Sequence, residues 1–371
     1  MHKFKYNSSK IIFGLLLSGL CFTPFILIST ASADTQKTVS TTKLGWIDQI
    51  PNTIDRMPQI LPSEANYPIV PEQKTTSNNS LVDQRQSKFS NSLQKRAHTI
   101  DGWFGTPNPN QPATASLRVM IDTLWNQHDE FTVKPRIRGR IKLPTLQERL
   151  SVVFGDDSLD NEIRDNIAIT HENPTANPDK TFDRRQYRDD NASIALRWSA
   201  WKNSWQIDSD LDVGIRSGDD IYLRAKINKD WMLNNDFSTH AEQIYRYGLD
   251  SKDYLRTNLE IRHARPNHAF ISDQFSLTYT DNDRQEFYWE NRLFRQHQFF
   301  NENLFNYGIY TGGNIEDSTP ELNAYGPFMT WRQPFMRDWF FIQSELTYYN
   351  NKGEDHDHHL GVLLRLETHF K

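Results

Sequence analysis

The sequence predicts an all-β protein, a closed antiparallel transmembrane β-barrel of about 14 strands behind a mostly irregular N-terminal segment. Three observations predict it. From Ala115 to the end of the chain, apolar and polar residues alternate with a period of two, the mark of strands with two different faces. Several of those strands carry charge on the whole of their second face, which a wet barrel interior accommodates and an ordinary half-buried strand does not. Beyond the first 33 residues, no segment has the run of roughly 20 apolar residues that a spanning helix needs. The mean hydropathy of −0.72 fits this, because averaging over a lipid face and a lumen face hides both.

The N-terminus is built for export. Lys3, Lys5 and Lys10 precede an apolar run from Ile11 to Ile28, which ends at Ala31-Ser32-Ala33, small residues where a signal peptidase cuts. We therefore expect residues 1–33 to be a signal peptide cleaved near Ala33. Its removal takes three lysines and Cys21, the one cysteine, and leaves 39 basic against 47 acidic residues, −8 in all. A cysteine-free chain has no disulfide staples or thiolate metal sites. An acidic one is poorly suited to nucleic acid, and none is expected as a partner.

Residues 34–114 are polar and broken by prolines such as Pro51, Pro58, Pro62 and Pro107, so most of this leader is expected to be irregular. The proline-free stretch 81–104 is compatible with one amphipathic helix. Such a helix would plug the lumen or dock a partner; the bland reading is a mobile leader.

The barrel is expected over 115–371. Leu117, Val119, Ile121, Thr123 and Trp125 alternate with Arg118, Met120 and Asp122. Phe131, Val133, Ile137 and Ile141 alternate with a basic row, Lys134, Arg136, Arg138, Arg140 and Lys142. Ile194, Leu196 and Trp198 alternate with Ala195, Arg197 and Ser199. Further on, Leu211, Val213 and Ile215 alternate with an acidic row, Asp208, Asp210 and Asp212; Ile221, Leu223 and Ile227 alternate with Arg224 and Lys226. Leu255 to Ile261 and Phe287 to Trp289 continue the pattern. Segments of about ten residues suit tilted spanning strands. Ser217-Gly218-Asp219-Asp220 and Asn351-Lys352-Gly353 mark turns between them. Twelve and sixteen strands are the alternatives to fourteen. Tryptophans near strand ends, among them Trp125, Trp198, Trp201, Trp205, Trp231, Trp331 and Trp339, suit the two headgroup levels.

At the C-terminus Leu360, Val362, Leu364, Leu366 and Phe370 alternate with Gly361, Leu363, Arg365, Glu367 and His369. This resembles the last strand of Gram-negative outer-membrane β-barrel proteins, which ends in an aromatic residue read by the barrel-assembly machinery. Lys371 after Phe370 departs from that pattern. The resemblance covers about 115–371 and is porin-like at the level of the class. It implies an outer-membrane location, outer-membrane lipids and the assembly machinery as partners, and a periplasmic place for 34–114. An even strand count then puts both barrel ends in the periplasm, with long connections at about 156–192, 312–324 and 350–358 on the extracellular side.

Two readings of the charged rows remain open. The basic row Lys134–Lys142 and the acidic row Asp208–Asp212 would set up a transverse field in a pore for small hydrophilic solutes. Alternatively, the rows join Arg224, Lys226, Glu242, Arg256 and Glu260 in salt bridges that fill a structural barrel. Neither reading needs an enzyme or a cofactor; Gly105 and Gly312-Gly313 lack the strand–loop–helix setting of a phosphate site. His356, His358 and His359 are a weak metal candidate, since imidazole and carboxylate suit zinc or copper. Ser238, His240 and Asn258 motivate an outer-membrane lipid-modifying hydrolase as an alternative. A scaffold that binds a periplasmic partner through 34–114 is another.

Overall fold

In the computed structural model, the described residues are 81–371, except 128–129, 147–148, 157–191, 201–206, 218, 235, 265–268, 282–284, 300–302, 317 and 353–356. The signal peptide, residues 34–80, Trp201, Trp205 and His356 lie outside them, as does most of the connection expected at 156–192.

One helix, α1 (Leu81–Gly102), occupies the proline-free stretch of the leader. The barrel follows: β1 (Thr114–Asn126), β2 (Glu130–Lys142), β3 (Leu150–Gly155), β4 (Ile194–Ala200), β5 (Ile207–Arg216), β6 (Asp220–Met232) and β7 (Phe237–Gly248). Then come β8 (Lys252–His263), β9 (Phe270–Asp281), β10 (Gln285–Phe299), β11 (Asn303–Glu316), β12 (Ala324–Phe335), β13 (Arg337–Asn351) and β14 (His358–Phe370). Each strand pairs antiparallel with its neighbours in sequence, and β14 pairs back onto β1, from Leu117 opposite Phe370 to Asn126 opposite Gly361. The sheet therefore closes as a 14-stranded antiparallel barrel. Closure matters because an open edge would leave a row of backbone N–H and C=O groups without partners in lipid.

The strands start and stop close to where the alternation does, with one difference. Residues 312–316 continue β11 instead of opening a loop, and Thr319–Pro320 fold back to pair with Ile315 and Glu316. The connection shrinks to 317–323, and Asn350 and Asn351 likewise belong to β13. Two adjacent glycines and Asn314 read as loop chemistry, but hydrogen bonding to the long β10 carries the strand through them.

Alternation sets the two faces. Ile194, Val213, Ile221 and Ile309 point outward and are each more than half exposed, in a belt shared with Leu211, Leu223, Ile271, Leu293 and Leu364. The other parity points inward and is polar. Glycine decides one inner contact. Gly308 of β11 lies opposite Phe294 on one side and Phe328 on the other, and the two rings meet edge-on, 6.3 Å apart. A Cβ at 308 would sit 2.6 Å from the Phe294 Cβ.

The helix does not plug the lumen. Leu93 and Ala97 pack on Ala113, Ala115 and Ile141, and Phe89 meets Phe370 edge-on at 4.7 Å. Ala115, Ile141 and Phe370 share the outward parity of their strands, so α1 lies against the outside of the wall. It sits at the rim where β1 begins and β14 ends, called here the terminal rim. Its contacts cross that rim in order: Asp83 with Arg337 of β13, Phe89 with β14, Gln94 with β1, and Asp101 with Thr145 in the β2–β3 turn.

This position closes a seam. β1 extends past the end of β14, so beyond Leu117 its edge has no strand beside it. The Gln94 carboxamide fills in: its Nε2 donates to the Ala115 carbonyl at 2.7 Å and its Oε1 accepts from the Ala115 N–H at 3.0 Å. One side chain thereby stands in for the missing stretch of backbone.

Candidate functional site: the charged inner wall

The inward residues form a network that runs along the wall. Asp212 of β5 accepts a bidentate pair from Arg197 of β4, Nε to Oδ1 and Nη2 to Oδ2, both at 2.7 Å. Its Oδ2 also accepts from Arg224 Nη1 of β6 at 3.0 Å. Lys226 reaches Glu242 of β7 at 2.7 Å, and Glu242 accepts from Asn258 of β8, also at 2.7 Å. From β8, Arg256 crosses over β9 to Glu290 of β10 at 3.0 Å. Neighbouring inward positions lie within side-chain reach along such a wall, so one parity of six of the seven strands from β4 to β10 becomes a chain of polar and charged groups.

A second arc spans the seam. Arg365 of β14 grips Asp122 of β1 through Nε at 2.6 Å and Nη2 at 2.9 Å. Glu367 accepts from Arg118 of β1 and Arg332 of β12, and its Oε1 lies 2.6 Å from His369. Arg136 of β2 donates to Asp156 at 2.6 Å. Arg140 carries the first arc to β2: its Nε donates to Ser151 Oγ at 3.2 Å and its Nη2 lies 3.4 Å from Ser199 Oγ of β4, which donates to Asp210 at 2.6 Å.

The network is enclosed to different degrees around the ring. Asp212, Glu242, Arg365 and Glu367 are each 1% exposed. The β2 side is more open: the Arg136 side chain is 20% exposed, Lys134 and Arg140 are half-buried and Lys142 is exposed, and Asp210 of β5 is 25% exposed. That side borders a cavity of about 210 Å³ near the terminal rim, lined by Arg118, Arg138, Arg140, Arg197, Lys226, His369 and Lys371, with Asp210 its one acid. Its lining is strongly cationic. Ser116, Leu117, Gly139, Val153 and Phe370 complete it.

The sequence-derived rows are thus placed inward, but not as an opposed pair. β2 and β5 are three steps apart in the ring, and the acidic row is met by Arg197, Arg224 and Lys226 from the strands beside it. Of the basic row, Arg138 and Arg140 line the cavity, and Arg136 is held by Asp156. Three members that matter were named as inward by the alternation but not singled out: Arg197, Arg365 and Glu367. Their signal was parity alone. Asp156 had none, being one residue past β3.

The histidine candidates separate. His358 points outward, its ring stacked on Tyr348 at 5.1 Å, whereas His359 has the opposite parity and is buried at 4% exposure. Ser238, His240 and Asn258 also fail to converge: Asn258 is spent on Glu242, and His240 Nδ1 lies 2.6 Å from Asp230.

No protein-family model matches the chain, and no curated protein sequence does. Solved structures of low similarity do. OprB of Pseudomonas putida at high pH is 9% identical, with a TM-score of 0.42 over 70% of this chain and 95% of that one. A loop-deletion variant of OmpT, an outer-membrane protein of Vibrio cholerae, is 8% identical, with a TM-score of 0.41 over 69% and 98%. The KdgM porin in complex with disordered oligogalacturonate is 8% identical, with a TM-score of 0.33 over 68% and 98%.

Proposed function

We propose that the protein is a narrow, porin-like channel of the Gram-negative outer membrane that prefers small anionic solutes. Membrane placement is supported by the outward belt of aliphatic side chains, far more contiguous apolar surface than a soluble monomer exposes, on a barrel with no free edge. The terminal strand ending in Phe370 supports the outer membrane in particular, with the terminal rim and α1 on the periplasmic side. The reading assigns no catalytic step to the chain.

The observation that carries the channel is the cationic cavity at the terminal rim. On the β4–β8 side, Asp212 and Glu242 lie against bases and are shut away. Towards β2, six lysines and arginines line one cavity with a single carboxylate, Asp210, among its lining residues. A row of fixed positive charge beside water lowers the barrier for anions and raises it for cations.

In planar bilayers at a salt gradient, the purified barrel should give conductance steps with an anion-selective reversal potential. Arg138→Glu should move that potential toward the cation side. Silence under these conditions would sink the channel and favour a structural barrel with a salt-bridged lumen, a reading supported by the near-complete enclosure of Asp212 and Glu367.

A further inference from the structure

α1 lies along the terminal rim, crossing β13, β14, β1 and β2, and therefore runs in the plane of the membrane if the barrel spans one. Its 22 residues extend about 33 Å at 1.5 Å per residue, enough to cross four strands spaced about 4.7–4.9 Å apart and tilted. The stripe Ser90, Gln94, Ala97 and Asp101 faces the wall, with Leu93 and Phe89 touching it from one side.

The flank beside that stripe is apolar. Val82, Phe89, Leu93 and Ile100 recur at helical spacing, and Phe89 fixes the direction of this flank. It meets Phe370, one pair nearer the bilayer than Ala115, so the flank turns toward the belt. Beyond it stand Arg85, Lys88 and Arg96, all exposed. The segment after the helix presents Trp103 at 74% and Phe104 at 48% exposure. Trp198, Trp231 and Trp331 point outward from strand ends near the same rim, where indole rings sit at headgroup depth.

We propose that α1 is an in-plane anchor that binds anionic phospholipid headgroups of the leaflet at the terminal rim. Arg85, Lys88 and Arg96 would contact the phosphates, and Val82, Phe89 and Ile100 would enter the acyl boundary. An amphipathic helix with a basic outer face and an apolar side is the form that lies in a membrane interface, and cations gain most where the lipid is anionic. A helix held only by the wall would not need Val82 and Trp103, which are 58% and 74% exposed. The anchor rests on the membrane-spanning reading of the barrel.

The test uses the full chain with Cys21→Ser, refolded into vesicles of phosphatidylcholine with or without phosphatidylglycerol. A fluorophore on Trp103→Cys reports the anchor, and one on Leu211→Cys reports the belt; doxyl-labelled lipid is the quencher. Quenching at 103 that rises several-fold with phosphatidylglycerol, and loses that rise in Arg85→Glu/Arg96→Glu, is the expected result. Quenching at 211 without quenching at 103 overturns the anchor and leaves the barrel in place. Quenching at 103 that ignores phosphatidylglycerol overturns the anionic preference. No quenching at 211 removes the membrane reading itself. Heat-modifiable migration checks that each variant is folded.

Discussion

Asp212→Asn measures how dry the inner wall is. The substitution keeps the shape of the side chain and removes one charge from between two guanidinium groups. In the native wall, Arg197 and Arg224 donate three hydrogen bonds to this carboxylate; the Asp212 side chain is 1% exposed and its partners 6% and 4%. Two outcomes separate by magnitude. If the β4–β6 side excludes water, Arg197 and Arg224 lose a charged acceptor of three hydrogen bonds, Arg197 keeping Asp210 at 3.7 Å, and breaking such a pair costs about 3–5 kcal/mol. If water fills that side, the pair is screened like a surface salt bridge and its loss costs about 0–1 kcal/mol. The enclosure favours the first. The assay is urea unfolding in detergent micelles, followed by heat-modifiable migration. With m of about 2–3 kcal/mol/M, the midpoint should fall by roughly 1–2 M. Adding Arg224→Gln to Asp212→Asn should recover part of the loss, because one stranded cation is removed with its partner. A midpoint shift below roughly 0.5 M, about the screened value, would refute the dry-wall argument and leave water in contact with the whole network.

The other predictions probe the seam, the aromatic contact, the distal rim and the pore. Gln94→Ala strips both surrogate backbone bonds from Ala115 and should cost about 1–3 kcal/mol at roughly 0.5–1.5 per bond; amide exchange at Ala115 should speed up while that of mid-barrel strands stays unchanged. Gly308→Val drives a branched side chain between Phe294 and Phe328 and against the Leu293 carbonyl, 2.1 Å from the position of a Cβ. A folded yield equal to wild type after refolding would refute that steric reading. At the distal rim, the hydrogen bond and charge of Glu321 hold Lys352 above the usual lysine range. Because the folded value is the raised one, this latch is fully present below the ordinary lysine range and fades as pH climbs through the folded value. An NMR titration of the Lys352 ammonium with its midpoint at or below 10.5, the ordinary value, would contradict it. Arg138→Glu should reverse ion preference in bilayers without abolishing conductance.

Period-two alternation made the barrel legible because it is a local property. Each strand records its own two environments, so Ile194, Leu196 and Trp198 announce a lipid face and Ala195, Arg197 and Ser199 an inner one, whatever pairs with them. The strand count follows from counting such segments between turns. The same logic named Lys134 to Lys142 and Asp208 to Asp212 as inward rows. It misjudged 312–316, where glycines look like loop and the pairing with β10 decides otherwise.

What parity cannot carry is partnership, because which charges meet depends on register across strands far apart in sequence. Closure of β14 on β1 places Arg365 against Asp122 and Arg118 against Glu367, pairs separated by more than 240 residues. The sequence suggested that the basic and acidic rows would either oppose or neutralise each other; the ring order shows Asp212 bound by the strands beside it, Arg136 bound by Asp156, and Arg138 and Arg140 at the wall of a cavity. The helix was foreseeable from its freedom from proline, but not its place. By itself, then, the sequence determined the strands and their two faces. Only the closed sheet decided the charge pairs, the cationic cavity and the seam under α1, because all three arise from residues brought together by closure.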